Sequence, residues 1–251
     1  ERVAALDRVI VPKGPPPPAD MAVLVGDLPY LLSKTETPPR RGHAAAAEDD
    51  LRNPSARHVR LPEVPAPLAL TALPRELQRM EQMLAGLGPA PYLGLTWRAG
   101  TAPEHQRGAD WLLHKEAPLD RLASAVRGVN GTLVALQRNP KSGEIDEIAA
   151  HAGRPVHDVT ALNEELEAML ALLALIDEYV GVSNTNMHLR AAAGRTARVL
   201  VPRPTEWRWM MSGDESPWFP GFRIYRQGPD GDWSAAFERL ARDLNAKFGK
   251  R

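Results

Sequence analysis

Apolar positions set the rhythm of this chain from residue 74 onward. Leu77, Met80, Met83, Leu84 and Leu87 recur at spacings of three and four, which predicts a helix over 74–87. The run Tyr92-Leu93-Gly94-Leu95-Thr96-Trp97 predicts a strand. A helix is predicted over 118–129, a strand over 132–137, and a short helix over 144–152 stopped by Gly153 and Pro155. A short strand follows over 156–159, a helix over 164–175 and a strand over 178–182. The remainder reads as a helix over 186–193 stopped by Gly194, strands over 197–201 and 222–225, and a closing helix over 233–248. Several strands are apolar throughout, as expected when both faces are covered. Alternation with short connections predicts an α/β, Rossmann-like open parallel sheet with helices on both faces. Right-handed crossovers gather the loops after the strands on one edge, where such sheets bind ligands. No internal repeat or sustained heptad pattern interrupts this reading.

The first 66 residues follow no such rhythm. Residues 8–11 predict a short strand, 15–18 an extended proline run, 21–25 a second apolar run, and 27–32 a turn into a short helix. Residues 34–57 are rich in Pro, Arg, Ala and acid and predict a loop. The segment is too small and broken to bury its own core. The expected organisation is a partial N-terminal domain over 1–66, a linker helix over 67–89 and a ligand-binding domain over 90–251. Glu1-Arg2-Val3-Ala4 lacks both the apolar core of a signal peptide and an initiator Met, so a fragment is expected.

Composition narrows the function classes. Lys plus Arg equals Asp plus Glu at 31 each, so nucleic acid is not expected as the main partner, while a local basic pocket for a small anion remains open. There is no cysteine, which excludes disulfides, thiolate metal sites and a cysteine nucleophile, and fits a reducing compartment. The longest apolar run, 169–176, is too short to span a bilayer. HExxH, Walker, G-x-S-x-G and GxGxxG patterns are absent, and the histidines show no metal-ligand spacing.

Four segments carry candidate chemistry. In Val182-Ser183-Asn184-Thr185-Asn186-Met187-His188, an apolar strand runs into small polar residues and a helix. Such residues cap helices, and free N–H groups with the helix dipole bind anions such as a diphosphate. His188 lies close enough in the helix to face the same ligand, or packs as a structural residue. Thr96-Trp97-Arg98-Ala99-Gly100-Thr101 leaves the first strand, and Lys115 adds a cation ahead of the next helix. Gln137, between Leu136 and Arg138, offers an amide to a base or ribose edge, or simply ends its strand. Finally, Trp207, Trp209, Trp218 and Phe219 fall on one long loop, to stack a base or sugar or to pack the loop itself, and Arg208 and Arg226 either hold phosphate or tie that loop down.

In this order, the motifs resemble the C-terminal domain of bacterial glycosyltransferase-like proteins associated with tetratricopeptide repeats. These are related to lipopolysaccharide heptosyltransferases and more distantly to O-GlcNAc transferases. The family segment D-T-x-x-x-H-L-A-x-A-x-G-x-P is matched with Asn184-Thr185-Asn186-Met187-His188-Leu189-Arg190-Ala191-Ala192-Ala193-Gly194-Arg195, with Asn184 in the acidic position. Family text close to W-R-W, S-P-W-Y-P and R-Q appears as Trp207-Arg208-Trp209, Ser216-Pro217-Trp218-Phe219-Pro220 and Arg226-Gln227. The resemblance implies the C-terminal half of a GT-B fold over residues 91–245. It implies a diphosphate held by Thr96, Arg98 and Lys115, a general base in the N-terminal domain, and no metal or cofactor beyond the nucleotide-diphosphate sugar donor.

The leading expectation is therefore sugar transfer from a nucleotide-diphosphate donor to a protein or glycan acceptor, in a bacterial cytoplasmic protein with tetratricopeptide repeats upstream. Its donor-site residues are Thr96, Arg98, Lys115, Gln137, Asn184, Thr185, Asn186, His188 and Arg208. The alternative is a non-catalytic nucleotide-sugar-binding or protein-interaction module, which the loss of an acidic group at Asn184 favours. A nucleotide-sugar epimerase is the third reading.

Overall fold

The computed structural model describes residues 68–100 and 114–249, which belong to one compact unit. The readings made for the first 66 residues, and Thr101, lie outside the described residues.

Six strands form one parallel sheet: β1 (Tyr92–Leu95), β4 (Thr132–Ala135), β5 (Val156–Asp158), β6 (Glu178–Val182), β7 (Arg198–Val201) and β8 (Arg223–Arg226). Their spatial order is β5-β4-β1-β6-β7-β8. The chain builds outward from β1 in one direction, returns to β1, and builds outward in the other, which is the Rossmann strand order. β2 (Arg98–Ala99) and β3 (Lys115–Glu116) form a small antiparallel pair of their own, with Arg98 opposite Glu116 and Ala99 opposite Lys115.

Strand side chains alternate between two apolar layers, as a pleat covered on both faces requires. On one face Val134, Tyr179, Val199 and Ile224 pack with α1 (Pro74–Leu87), α4 (Leu166–Leu175) and α5 (Thr185–Ala192). On the other, Leu93, Leu95, Leu133, Val180, Val182 and Leu200 pack with α2 (Leu119–Val126), α3 (Glu144–Ala152) and α6 (Ser234–Phe248). The 74–87 helix, expected as a linker, inserts Met80 and Leu84 into the first layer. α4 is apolar nearly all round because it is buried from Ala168 to Leu173, against α1 on one side and α5 on the other. A 3-10 turn over Thr160–Glu164 leads into α4, so the helix expected over 164–175 begins at Leu166.

Two buried polar clusters hold the frame. Arg190 of α5 donates to the carbonyls of Leu173 and Ile176 at 2.6 and 2.8 Å and of Thr196 at 2.8 Å, which fastens α5 to the C-terminal end of α4. Burial lowers its guanidinium to about 10, with partial relief from Glu178. At the amino ends of β6 and β7, Glu178 accepts from Arg198 at 3.1 Å and from Lys247 at 3.2 Å, and Arg198 continues to the Tyr225 hydroxyl.

Candidate functional site

The reversal of strand order at β1 opens a crevice at the carboxyl ends of β1 and β6. A cleft of about 780 Å³ lies there.

The start of α5 forms its floor. Asn184 is extended at the N-cap, and its Oδ1 accepts from the Met187 N–H at 3.1 Å. The same amide closes a ring. Nδ2 donates to Thr96 Oγ1 at 3.0 Å, Tyr179 donates to Asn184 Oδ1 at 3.1 Å, and the Thr96 and Tyr179 oxygens lie 3.0 Å apart. With Thr96 Oγ1 accepting from Asn184, its own proton is left for Tyr179. Burial pushes the Tyr179 hydroxyl up to about 12, so it stays a donor at neutral pH. Gly181 permits the close approach of β1 and β6 here, since a Cβ would lie 2.0 Å from Thr96 Oγ1. Among the described residues, no protein acceptor takes the N–H groups of Thr185 and Asn186. The first turn of α5 therefore presents two open donors and its dipole to the cleft.

The β2–β3 pair brings Arg98 and Lys115 to the same mouth, and each meets a carboxylate. Arg98 forks onto Glu144 at 2.5 and 3.0 Å. Donating to Glu144 holds the Arg98 guanidinium above its ordinary value. Burial works to raise the Glu144 carboxyl, but Arg98, the Lys141 N–H and the Trp97 indole together hold it below the usual range. Lys115 Nζ donates to Glu206 Oε1 at 2.6 Å. Glu206 is likewise held low by Lys115 and by the Ser183 hydroxyl against the opposing effect of burial.

Of the sequence-derived candidates, Arg98, Lys115, Gln137, Asn184, Thr185, Asn186, His188 and Arg208 line the cleft. Thr96 does not; its side chain is buried in the ring beneath. Gln137 faces the cleft with its amide already used. Oε1 accepts from Trp97 and Arg98, and Nε2 donates to the carbonyls of Arg98 and Arg138. All four hydrogen-bonding positions of that amide are filled, so it braces the strand exits and has nothing left for a base. Asn186 donates to Asn163 at 3.2 Å. His188 sits edge-on to Phe219, ring centroids 5.2 Å apart. Desolvation there, followed by the repulsion of Arg208, lowers its imidazole; Glu206 works the other way and Lys115 adds to the lowering. The Arg208 guanidinium lies 4.8 Å from the centre of the Trp207 ring, and among the described residues it has no ion-pair partner.

The aromatic loop divides. Trp209 and Phe219 turn inward and stack at 4.6 Å, whereas Trp207 is half exposed and meets the partly buried Trp218 edge-on at 5.0 Å; none of the four rings lines the cleft. Arg226 ties this loop down through the carbonyls of Trp209, Met210, Ser212 and Gly213. Glu206, Asn163, Lys141, Asn139 and Leu166 complete the cleft and escaped the sequence reading. The motif register also needs correction: the histidine is the fifth residue after the acid in D-T-x-x-x-H, so counting back from His188 puts the acidic position on Ser183 and the threonine position on Asn184.

The wall is basic. Among the described residues the lining holds Arg98, Lys115, Arg138, Lys141 and Arg208 with one carboxylate, Glu206, while Arg98 and Arg138 also pair with Glu144 and Glu164 beside it. Among the described residues, no cluster of three or more His, Asp or Glu has the arrangement of a metal site, and no helix is long and apolar enough to cross a membrane.

No protein-family model matches the chain. It is similar to Protein FlbA of Caulobacter vibrioides, 25% identical over 176 residues, covering 68% of this chain and 28% of that protein. Its fold is similar to that of E. coli ADP-heptose LPS heptosyltransferase II, with a TM-score of 0.50 and 17% identity over 73% of this chain and 55% of the other. A glycosyl transferase family 9 structure from Veillonella parvula aligns with a TM-score of 0.43 and 12% identity, over 64% of this chain and 42% of that one. The chain thus spans about a quarter of the curated relative and about half of the solved structures. Strand order and structural likeness agree on a Rossmann-like parallel α/β fold.

Proposed function

We propose that this domain is the donor-binding half of a GT-B-type glycosyltransferase, holding a nucleotide-diphosphate sugar whose sugar passes to a protein or glycan acceptor. One observation carries the reading: the open N–H groups at the start of α5 meet a surplus of cations in the cleft at the strand-order reversal. A diphosphate on Thr185 and Asn186 would lie within a field shaped by Arg208, Lys141, Lys115 and Arg98. Fixed donors and cations aimed at a leaving diphosphate stabilise its developing charge by several kcal/mol, on the scale of about 3 kcal/mol for one oxyanion-hole donor. The proposal carries the division into a partial domain over 1–66, a helix over 67–89 and a nucleotide-sugar domain over 90–251. It also carries the finer points of the resemblance: a bacterial cytoplasmic protein with tetratricopeptide repeats, transferring without a metal.

Isothermal titration of the full chain with UDP, GDP and ADP tests the reading. Binding of one of them, weakened about tenfold by Arg208→Ala, is the expected outcome; no heat with any of the three defeats it.

A second reading, a binding module without turnover, draws on the carboxylates that already hold Arg98 and Lys115. Transfer or hydrolysis of the donor by the longer protein, persisting in EDTA, separates the two.

A further inference from the structure

Arg98 and Lys115, the cations that the resemblance assigns to a diphosphate, are both held by protein carboxylates. Arg98 is the more completely committed: its two terminal nitrogens serve Glu144, Glu116 and the Asn139 carbonyl. Lys141 has the opposite character. Its side chain is exposed, it lines the cleft, and among the described residues its ammonium has no acceptor.

What fixes the Lys141 backbone is Arg98, at one remove. Glu144 is buried at the start of α3 and is not part of the cleft lining. Both of its carboxylate oxygens accept from Arg98, and its Oε2 also accepts from the Lys141 N–H at 2.7 Å. Arg98 meets the same loop a second time at the carbonyl of Asn139, a residue in the left-handed region with φ of 49°. One guanidinium–carboxylate fork, a pairing with strict geometry, therefore grips the loop between β4 and α3 at residues 139 and 141. The position of that loop gives the grip a purpose. β4 lies two strand places from β6, about 10 Å, and on the other side of the first turn of α5 from Arg208. A diphosphate on the open N–H groups of Thr185 and Asn186 and an extended Lys141 side chain close that gap between them. We infer that Lys141 is the lysine that binds the phosphates, and that Arg98 with Glu144 is a positioning pair that holds the Lys141 loop in place. The inference rests on the donor-site reading above and reassigns which cations do the holding.

The test is isothermal titration of the full chain with UDP, GDP and ADP, of which the native protein binds at least one. Lys141→Gln weakens that binding on the order of tenfold, the scale of one hydrogen bond to a charged group. It leaves the thermal midpoint unchanged and makes the affinity less sensitive to salt, because one exposed charge pair is gone. Glu144→Asp separates the two roles of Arg98 by sign. Shortening the acid that holds a phosphate ligand would leave binding unchanged or tighten it, whereas loosening a positioning pair weakens it. That weakening disappears once Lys141→Gln is present, since residues acting through one another do not add. Arg98→Lys keeps the charge and loses the fork, so it behaves like Glu144→Asp and carries the cycle if the aspartate form does not fold. Native affinity in Lys141→Gln overturns the inference, as do unchanged or tighter binding in the folded clamp variant and additive losses in the double variant. Each of these outcomes leaves the donor-site reading standing, whereas a native protein that binds none of the three nucleotides removes both.

Discussion

Asn184 caps α5, fixes Thr96 and Tyr179, and so sets the end of β1 against the start of the helix with a single amide. His188 lies one turn further on and lines the cleft. Packing and neighbouring cations lower its imidazole, so the fold favours the neutral form. The sign follows directly. A histidine whose folded value lies below the unfolded value of about 6.5 takes up its proton less readily in the native state, and the fold weakens as pH falls below that value. A diphosphate on α5 reverses the preference. Nucleoside diphosphate binding is therefore expected to take up a proton and to tighten as pH falls below about 6.5. Titrations in buffers of different ionisation enthalpy measure this, and the part due to His188 disappears in His188→Gln. Cap chemistry of this kind is legible in sequence because it is local: Ser, Asn and Thr before a helix announce an N-terminus wherever they occur. The partners of Arg98 and Lys115 are not, because Glu144 and Glu206 lie 46 and 91 residues away and only the fold brings them in.

Elements were legible to the degree that their neighbours were apolar. The helices Pro74–Leu87 and Glu144–Ala152 and the strand Glu178–Val182 end where the patterning says they do. The β2–β3 pair has two residues in each strand and no alternation to reveal it, yet it brings both cations to the cleft. The aromatic loop misled for a related reason. Composition shows that Trp and Phe cluster there, but whether they face ligand or core depends on Arg226, which fastens the loop from another strand. α5 offers a sharper test of element-level reasoning. Its only buried cation, Arg190, serves the carbonyls at the C-terminal end of α4, where no solvent can replace it. Arg190→Met removes every one of these bonds and leaves carbonyls buried, and should cost about 3 kcal/mol of unfolding free energy. Urea denaturation reads it; a loss below about 1 kcal/mol would show that α5 is held by its apolar face alone.

At the scale of the molecule, zero net charge conceals a division. Five cations line the cleft among the described residues; Glu144, Glu206 and Glu164 pair with three of them, which leaves Lys141 and Arg208 in excess. Binding of a nucleoside diphosphate should therefore weaken as salt rises from about 0.05 to 0.5 M, while thermal stability changes little, because screening acts on the open cleft more than on the apolar layers. Calorimetry and thermal melts over the same salt series compare the two. The overall plan was legible because a parallel sheet buried on both faces leaves short runs that are apolar throughout; the cleft's charge balance was not, since it depends on which acids fold back onto which bases. The ionic cluster of buried Glu178 and Arg198 with the exposed Lys247 lies at the amino ends of the strands, whereas the groups that would meet a ligand follow the carboxyl ends. Anchorage and recognition thus occupy opposite rims of one sheet, so substitutions in the loops of one rim can re-tune what is held there without loosening the foundation at the other.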